Sequence, residues 1–384
     1  MFMILIRQAS GRGWRLLVTL FGVLSVSCAT PLAPRSMPVP ETTPEVQAPV
    51  SIPAPLPVPA PLKEIRIAAV GDIMLGGTAA PELRNFGYDY PFEQTQGILK
   101  QAQIVFGNLE GPLTDAGAPA TNKQYVFRSP PEKVAPALAR AGFNVVSLAN
   151  NHTLDYGPEG LADTRAALDR AGIGYVGAGR NLAEARRPLY MVVDGVTIAF
   201  LAYSLTFPEE FWAGPDSPGT AFGHERFVRA DVKAAREKAD IVVVSFHWGQ
   251  EGKTELRDYQ VQLGHAAIEA GASAVLGHHP HILQGVERYQ HGVILYSLGN
   301  FAFGSYSNTA TRSAIALLTF RDARWQTLRL FPLNVKNAEV VFQPRTLAGQ
   351  EAARVVGHLQ QLSLQHGTVL EHHDDSAVLD NDGG

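Results

Sequence analysis

From Ile65 onward the chain alternates short apolar runs with amphipathic stretches. "IRIAAV" (65–70), "IVFGN" (104–108), "NVVSLA" (144–149), "IGYVG" (173–177), "VTIAFLAYS" (196–204), "IVVVSF" (241–246), "SAVLG" (273–277) and "VILYSLG" (293–299) read as strands. Several are apolar without a break, the pattern of central strands buried on both faces. Between them, 130–142, 157–172 and 257–271 have helical spacing. The first two open with proline and end in glycine, the residue types suited to helix starts and ends. Asp194-Gly195 sits between two β runs as a two-residue hairpin turn, and "RDAR" (321–324) joins another pair. Strand–helix–strand units mixed with hairpins predict an α/β fold with mixed sheets covered by helices.

The pattern changes at both ends. Residues 31–61 hold 11 of the 26 prolines, a composition that favours extended polyproline II over a packed core. Before it, Arg7, Arg12 and Arg15 precede the apolar run "LLVTLFGVLSVS" (16–27), which has the form of a secretory signal. Cys28, the only cysteine, follows directly in "LSVSCAT", which resembles the lipobox of bacterial lipoproteins. Ser25 stands where a lipobox usually has leucine. A plain signal cleaved near Ser27 or Ala29, or an uncleaved N-terminal anchor, remain alternatives. Signal, stalk and folded part together predict an exported protein held at the bacterial cell envelope by a lipid. At the other end, "EHHDDSAVLDNDGG" (371–384) is acidic and poor in apolar residues and is expected to be disordered. The boundaries read as 1–28 signal, 29–62 linker, 63–340 main domain and 341–384 C-terminal extension.

Net charge is −4 over 384 residues, with no basic run, which argues against a nucleic-acid binder. The chemistry gathers at the strand ends. Asp72 ends the first strand, Asn108 and Glu110 the second, and Asn150, Asn151 and His152 the third. His247 ends another, His278, His279 and His281 the next, and Asn300 the last. Ligands of α/β sheets bind beyond the carboxyl ends of the strands. Any one of these residues has a plain structural use as a cap, turn or satisfied core group. As a set they are imidazole, carboxylate and amide donors suited to one or two divalent transition metals such as Mn, Fe or Zn. On an extended strand end, His279 and His281 project the same way, whereas His278 points elsewhere and reads as structural.

The order of these motifs resembles the CapA-type poly-gamma-glutamate capsule-biosynthesis family, a branch of the calcineurin-like metallophosphoesterases. "GDIMLGG", "GNLEGPLT", "LANNHTLDYGPEGL", "SFHWGQE", "GHHPHILQGVE" and "YSLGNFAFG" carry the likeness, over roughly 65–305. The resemblance implies a four-layer α/β/β/α sandwich. It implies metal ligation by Asp72, Asn108, Glu110, Asn151, His247, His279 and His281. His152 would be the general acid, with Glu110 in the catalytic set, and Trp248, Glu251, Asn300 and Phe303 would line the pocket. Two departures stand out: Met74 and Asn108 occupy positions where the broader superfamily has histidine and aspartate ligands. The implied function is metal-dependent phosphoester hydrolysis in the synthesis of an anionic envelope polymer, beside polymer synthase subunits. The alternative is a non-catalytic polymer-binding or assembly scaffold.

Overall fold

In the computed structural model, which describes residues 63–381, the first strand, Glu64–Met74, is the centre of the larger sheet. Parallel to it on one side run Ile104–Leu109, Phe143–Ser147 and Gly174–Val176. On the other side follow Arg312–Arg321, Arg324–Asn334 and Ser376–Asp380, each antiparallel to its neighbour. The smaller sheet has Ala274–His278 and Ile241–His247 at its centre, parallel to each other. It ends in antiparallel hairpins, Leu189–Val193 with Val196–Ser204 and Val286–Tyr289 with Gly292–Leu295. Both expected turns are present: Val193 pairs with Val196 around Asp194-Gly195, and Arg321 with Arg324 around Asp322-Ala323.

Side-chain alternation explains the layers. Ile65, Ile67 and Ala69 of the first strand face the core between the sheets, together with Ile241 and Val243 of the smaller sheet. Ala68 and Val70 face the opposite way, onto the helices Pro131–Ala141 and Gly157–Ala171. Val242, Val244 and Phe246 face the helices Glu225–Arg236 and Asp258–Glu269. The result is helix, sheet, sheet, helix, and the unbroken apolar runs follow from burial on both faces. Gly142 and Gly172 close their helices in the left-handed conformation, as their sequence positions suggested.

The C-terminal segment departs from expectation. Glu371–His373 and Ser376–Asp380 form a hairpin that extends the larger sheet, with Ser376, Ala377 and Leu379 buried. The helix Gly349–Leu364 sends Ala352, Val356 and Leu359 into the inter-sheet core. Residues 341–381 are therefore part of the sandwich rather than an extension with a disordered tail. The three-residue apolar run in "SAVLD" is too short to stand out among acidic neighbours. The expected signal and proline-rich linker lie outside the described residues.

A close backbone approach fixes the segment leading into Asn300–Phe303 against the central strand beside the site. The Asp72 amide donates to the Gly299 carbonyl at 3.0 Å. A Cβ on Gly71 would lie 1.8 Å from that carbonyl oxygen. Gly71→Ala must push the two segments apart at the residue before Asp72. We expect a loss of about 1–3 kcal/mol of stability, read as a lower thermal midpoint, together with weaker metal uptake. An unchanged midpoint would mean that the contact relaxes freely.

Candidate metal centre

The carboxyl ends of the parallel strands of both sheets converge. Asp72 lies on the central strand of the larger sheet, and Asn108 pairs beside it on the next strand, with Glu110 just beyond. His247 and His278 are paired neighbours on the smaller sheet. Asp72, Glu110 and His247 are all at most 1% exposed.

Two groups of donors have atoms close enough to share an ion: Asp72, Glu110 and His281, and Glu251, His279 and His281. His281 belongs to both. Its Nδ1 is 3.1 Å from Asp72 Oδ2 and 2.8 Å from Asn300 Oδ1, and its Nε2 is 3.7 Å from Glu110 Oε1. His247 Nε2 lies 2.8 Å from Asn151 Oδ1, and its ring centre is 4.7 Å from that of His279. Glu110 Oε1 and His279 Nδ1 are buried without a hydrogen-bond partner. Buried polar atoms are rarely left so. Orphaned lone pairs within a carboxylate–imidazole set are what a divalent transition metal satisfies, and the residues fit that group.

The electrostatics agree. Burial raises Glu110 well above the usual carboxylate range, with the negative charge of Asp72 adding to it and His281 opposing. Burial also pushes Asp72 upward, but the hydrogen bond and charge of His281 outweigh it and leave Asp72 below its ordinary value. Burial works against a charged His281, yet the carboxylates of Glu110 and Asp72 lift it to about 10. Burial holds His279 down at about 3 and His247 well below its ordinary value, each helped by neighbouring imidazoles. Neutral imidazole is the form that ligates a metal.

His152 stands at the edge of this set. Its Nδ1 is 2.6 Å from Asp155 Oδ2, which leaves Nε2 directed toward the site, 3.8 Å from Glu110 Oε1. Lys123 completes the group, bonded to Asp155 Oδ1 at 2.5 Å and to the Asn151 carbonyl. Burial lowers His152 below its ordinary value while Asp155 pulls it up.

Several expectations change in detail. His279 and His281 do reach one site, but not through strand alternation. The strand ends at His278, and both residues adopt positive φ, 95° and 59°. His278 is structural as expected, its ring between Ser245 Oγ and the Val70 carbonyl. Trp248 does not line the pocket. It is fully buried, stacked on Phe246, and donates to the Tyr296 carbonyl. Asn108 is in the site but presents its amide nitrogen to Asp72 and Glu110, while Asn150 occupies its oxygen. A group that donates to carboxylates holds them in place and is not oriented as a ligand. Glu251 lines the pocket as expected and is a candidate ligand as well, and Asn300 and Phe303 flank His281 at the pocket wall. Asp155 and Lys123 join the site without having been expected there. Asp155 carries a signal, three residues after His152 at the start of a helix; Lys123, in an irregular loop, carries none.

Because His281 serves both donor groups, His281→Ala should remove more bound Mn or Zn than Glu251→Ala, counted by mass spectrometry. Equal losses would break the shared-ligand geometry. In the metal-free chain His281 is protonated below about 10, so a metal must displace that proton. Apparent affinity should rise by about tenfold per pH unit between pH 6 and 8. A flat profile in a metal titration would contradict this.

The model of the family described as bacterial capsule synthesis protein PGA_cap matches residues 66–305. The capsule biosynthesis protein CapA of Bacillus anthracis is 34% identical over 280 residues, covering 71% of this chain and 68% of that protein. The PGA biosynthesis protein CapA of Bacillus subtilis (strain 168) is 34% identical over 271 residues, 70% of this chain and 71% of that one. Among solved structures, the calcineurin-like phosphoesterase YfkN from Bacillus subtilis aligns with a TM-score of 0.42 at 15% identity, over 69% of this chain and 88% of that one. With six motifs in order, and relatives matched over most of their length, the chain belongs to the PGA_cap family of capsule and polyglutamate biosynthesis proteins.

Proposed function

We propose that the protein is an exported, lipid-anchored component of envelope-polymer synthesis whose metal centre hydrolyses a phosphoester. One observation carries this reading: two orphaned buried donors, Glu110 Oε1 and His279 Nδ1, lie in a carboxylate–imidazole set beside the His152–Asp155 pair. Asp72, Glu110, Asn151, Glu251, His247, His279 and His281 would hold the ions. A bound divalent metal supplies a Lewis acid that polarises a phosphoryl oxygen and eases deprotonation of water. The protein does the rest. Asp155 fixes the ring of His152 so that Nε2 faces the reacting group, and His152 then protonates the leaving oxygen. Asn108 keeps the two carboxylates apart and aimed. Asn300 holds the His281 ring. Partners in this reading are polymer synthase subunits and the membrane, reached through Cys28.

A second reading, an assembly scaffold that keeps the fold and the metal without turnover, is favoured by Met74. It is buried and offers no nitrogen or oxygen where the wider superfamily has a ligand.

His152→Ala should lower kcat on a generic phosphodiester by about a hundredfold or more and leave bound metal unchanged. His279→Ala should lose both. Metal-loaded protein with no turnover in any arm would select the scaffold. Cys28→Ser should move the protein from the detergent phase to the aqueous phase on Triton X-114 partition; continued detergent partition would point to an uncleaved anchor.

A further inference from the structure

Two cavities open on either side of the metal centre. One, of about 600 Å³, touches Asn151, Glu251 and His279 and is walled by Phe207, Trp212 and Phe222. The other, of about 360 Å³, touches Glu251, His281 and His152 and is walled by Tyr125, Phe127 and Tyr306. Glu251 lines both. The donor group Glu251–His279–His281 is therefore the junction of two pockets rather than the floor of one.

The walls share a chemistry. Phe207, Tyr125 and Tyr306 are 68%, 62% and 59% exposed and stand with other rings at the cavity mouths, a grouping that marks a binding surface where single exposed rings would not. Trp212 and Phe222 lie 4.1 Å apart, ring centre to ring centre, with Phe207 5.9 Å from Trp212. Such surfaces stack against the faces of rings. Among the described residues that line the two cavities, none is lysine or arginine. Lys123 is nearby, but it is committed to Asp155. Away from the ion site itself, a polyanion with a carboxylate on every unit would meet no lysine or arginine along either wall, and Glu251 would repel it.

The two sides are not equivalent. His152 lines only the smaller cavity, so the leaving group sits there. The larger cavity, on the His279 side, is then left for the other ester arm. A phosphomonoester has no second arm.

We propose, building on the phosphoesterase reading, that the substrate is a phosphodiester whose two ester oxygens both carry uncharged rings, one ring in each cavity. Water adds its oxygen to phosphorus, and the P–O bond on the His152 side breaks. The electron pair leaves with that oxygen, which takes the proton of His152. The proton lost by the attacking water restores His152 or passes to solvent, and the products are a phosphomonoester and an alcohol. The reaction thus cuts within a chain or between two ring-bearing units and does not trim a terminal phosphate.

The test uses full-length protein loaded with Mn(II), bis(4-nitrophenyl) phosphate as diester and 4-nitrophenyl phosphate as monoester. The diester should be preferred by at least tenfold in kcat/KM. Phe207→Ala, a change at an exposed ring, should cut the diester-to-monoester ratio by about tenfold, the effect of losing one stacked ring. Tyr306→Ala should lower both substrates in proportion and keep the ratio. By titration calorimetry, diphenyl phosphate should bind at least tenfold more tightly than phenyl phosphate, and Phe207→Ala should erase the difference. Inhibition by a dinucleoside monophosphate against a phosphodiester-bridged disaccharide then names the ring. Stronger inhibition by either than by its monophosphate supports the groove; inhibition by neither overturns it. Hydrolysis of neither ester removes the phosphoesterase reading and this proposal with it. Preference for the monoester, with a ratio unmoved by Phe207→Ala, overturns the two-armed groove alone.

Discussion

Two carboxylates, Asp72 and Glu110, are buried almost completely in one small volume. Such a pair is costly unless positive charge is brought to it. In the metal-free chain that charge is the imidazolium of His281, reaching Asp72 at 3.1 Å and Glu110 at 3.7 Å. A divalent ion meets the same demand more fully. The rest of the architecture serves this point. The central strand of the larger sheet delivers Asp72, and Asn108 bonds both acids and keeps them in place. His278, on the other sheet, reaches across to the Val70 carbonyl and fixes the distance between the layers.

The fold is legible in the sequence where burial on both faces forces continuous apolar runs, as in Val196–Ser204, a strand with the bounds its residues suggest. The rule that ligands gather at carboxyl strand ends locates most of the site from residue order alone. It falls short where the backbone leaves the regular strand. His279 and His281 converge through positive φ, which side-chain alternation does not foresee. Trp248 is next to His247 in sequence yet sits in the opposite core, because neighbours on an extended chain point apart. Asn108 resembles a ligand because its residue type permits it. Only its neighbours decide which end of the amide faces inward. Lys123 comes from a loop with no periodicity to read.

Membership in a capsule-synthesis family and the lining of the cavities place different demands on the reading. The relatives' names point to polyglutamate. Among the described residues, the walls beside the candidate metal centre carry rings and no lysine or arginine. The two are compatible if the family's shared part is the ion-holding strand ends, and the irregular loops that bear Tyr125, Phe207 and Tyr306 set what lies across them. Loops on a rigid scaffold are where such variation is tolerated.

The central strand of the larger sheet carries a consequence for how the molecule is made. Glu64 and Arg321, partners across that strand, are 257 residues apart. The first strand to emerge during synthesis therefore waits for most of the chain before it is flanked on both sides. Contacts this distant slow folding, and the unpaired edge stays open to wrong partners meanwhile. The protein is built to finish late: the strand that carries Asp72 gains its antiparallel neighbour only once residues 312–321 are made.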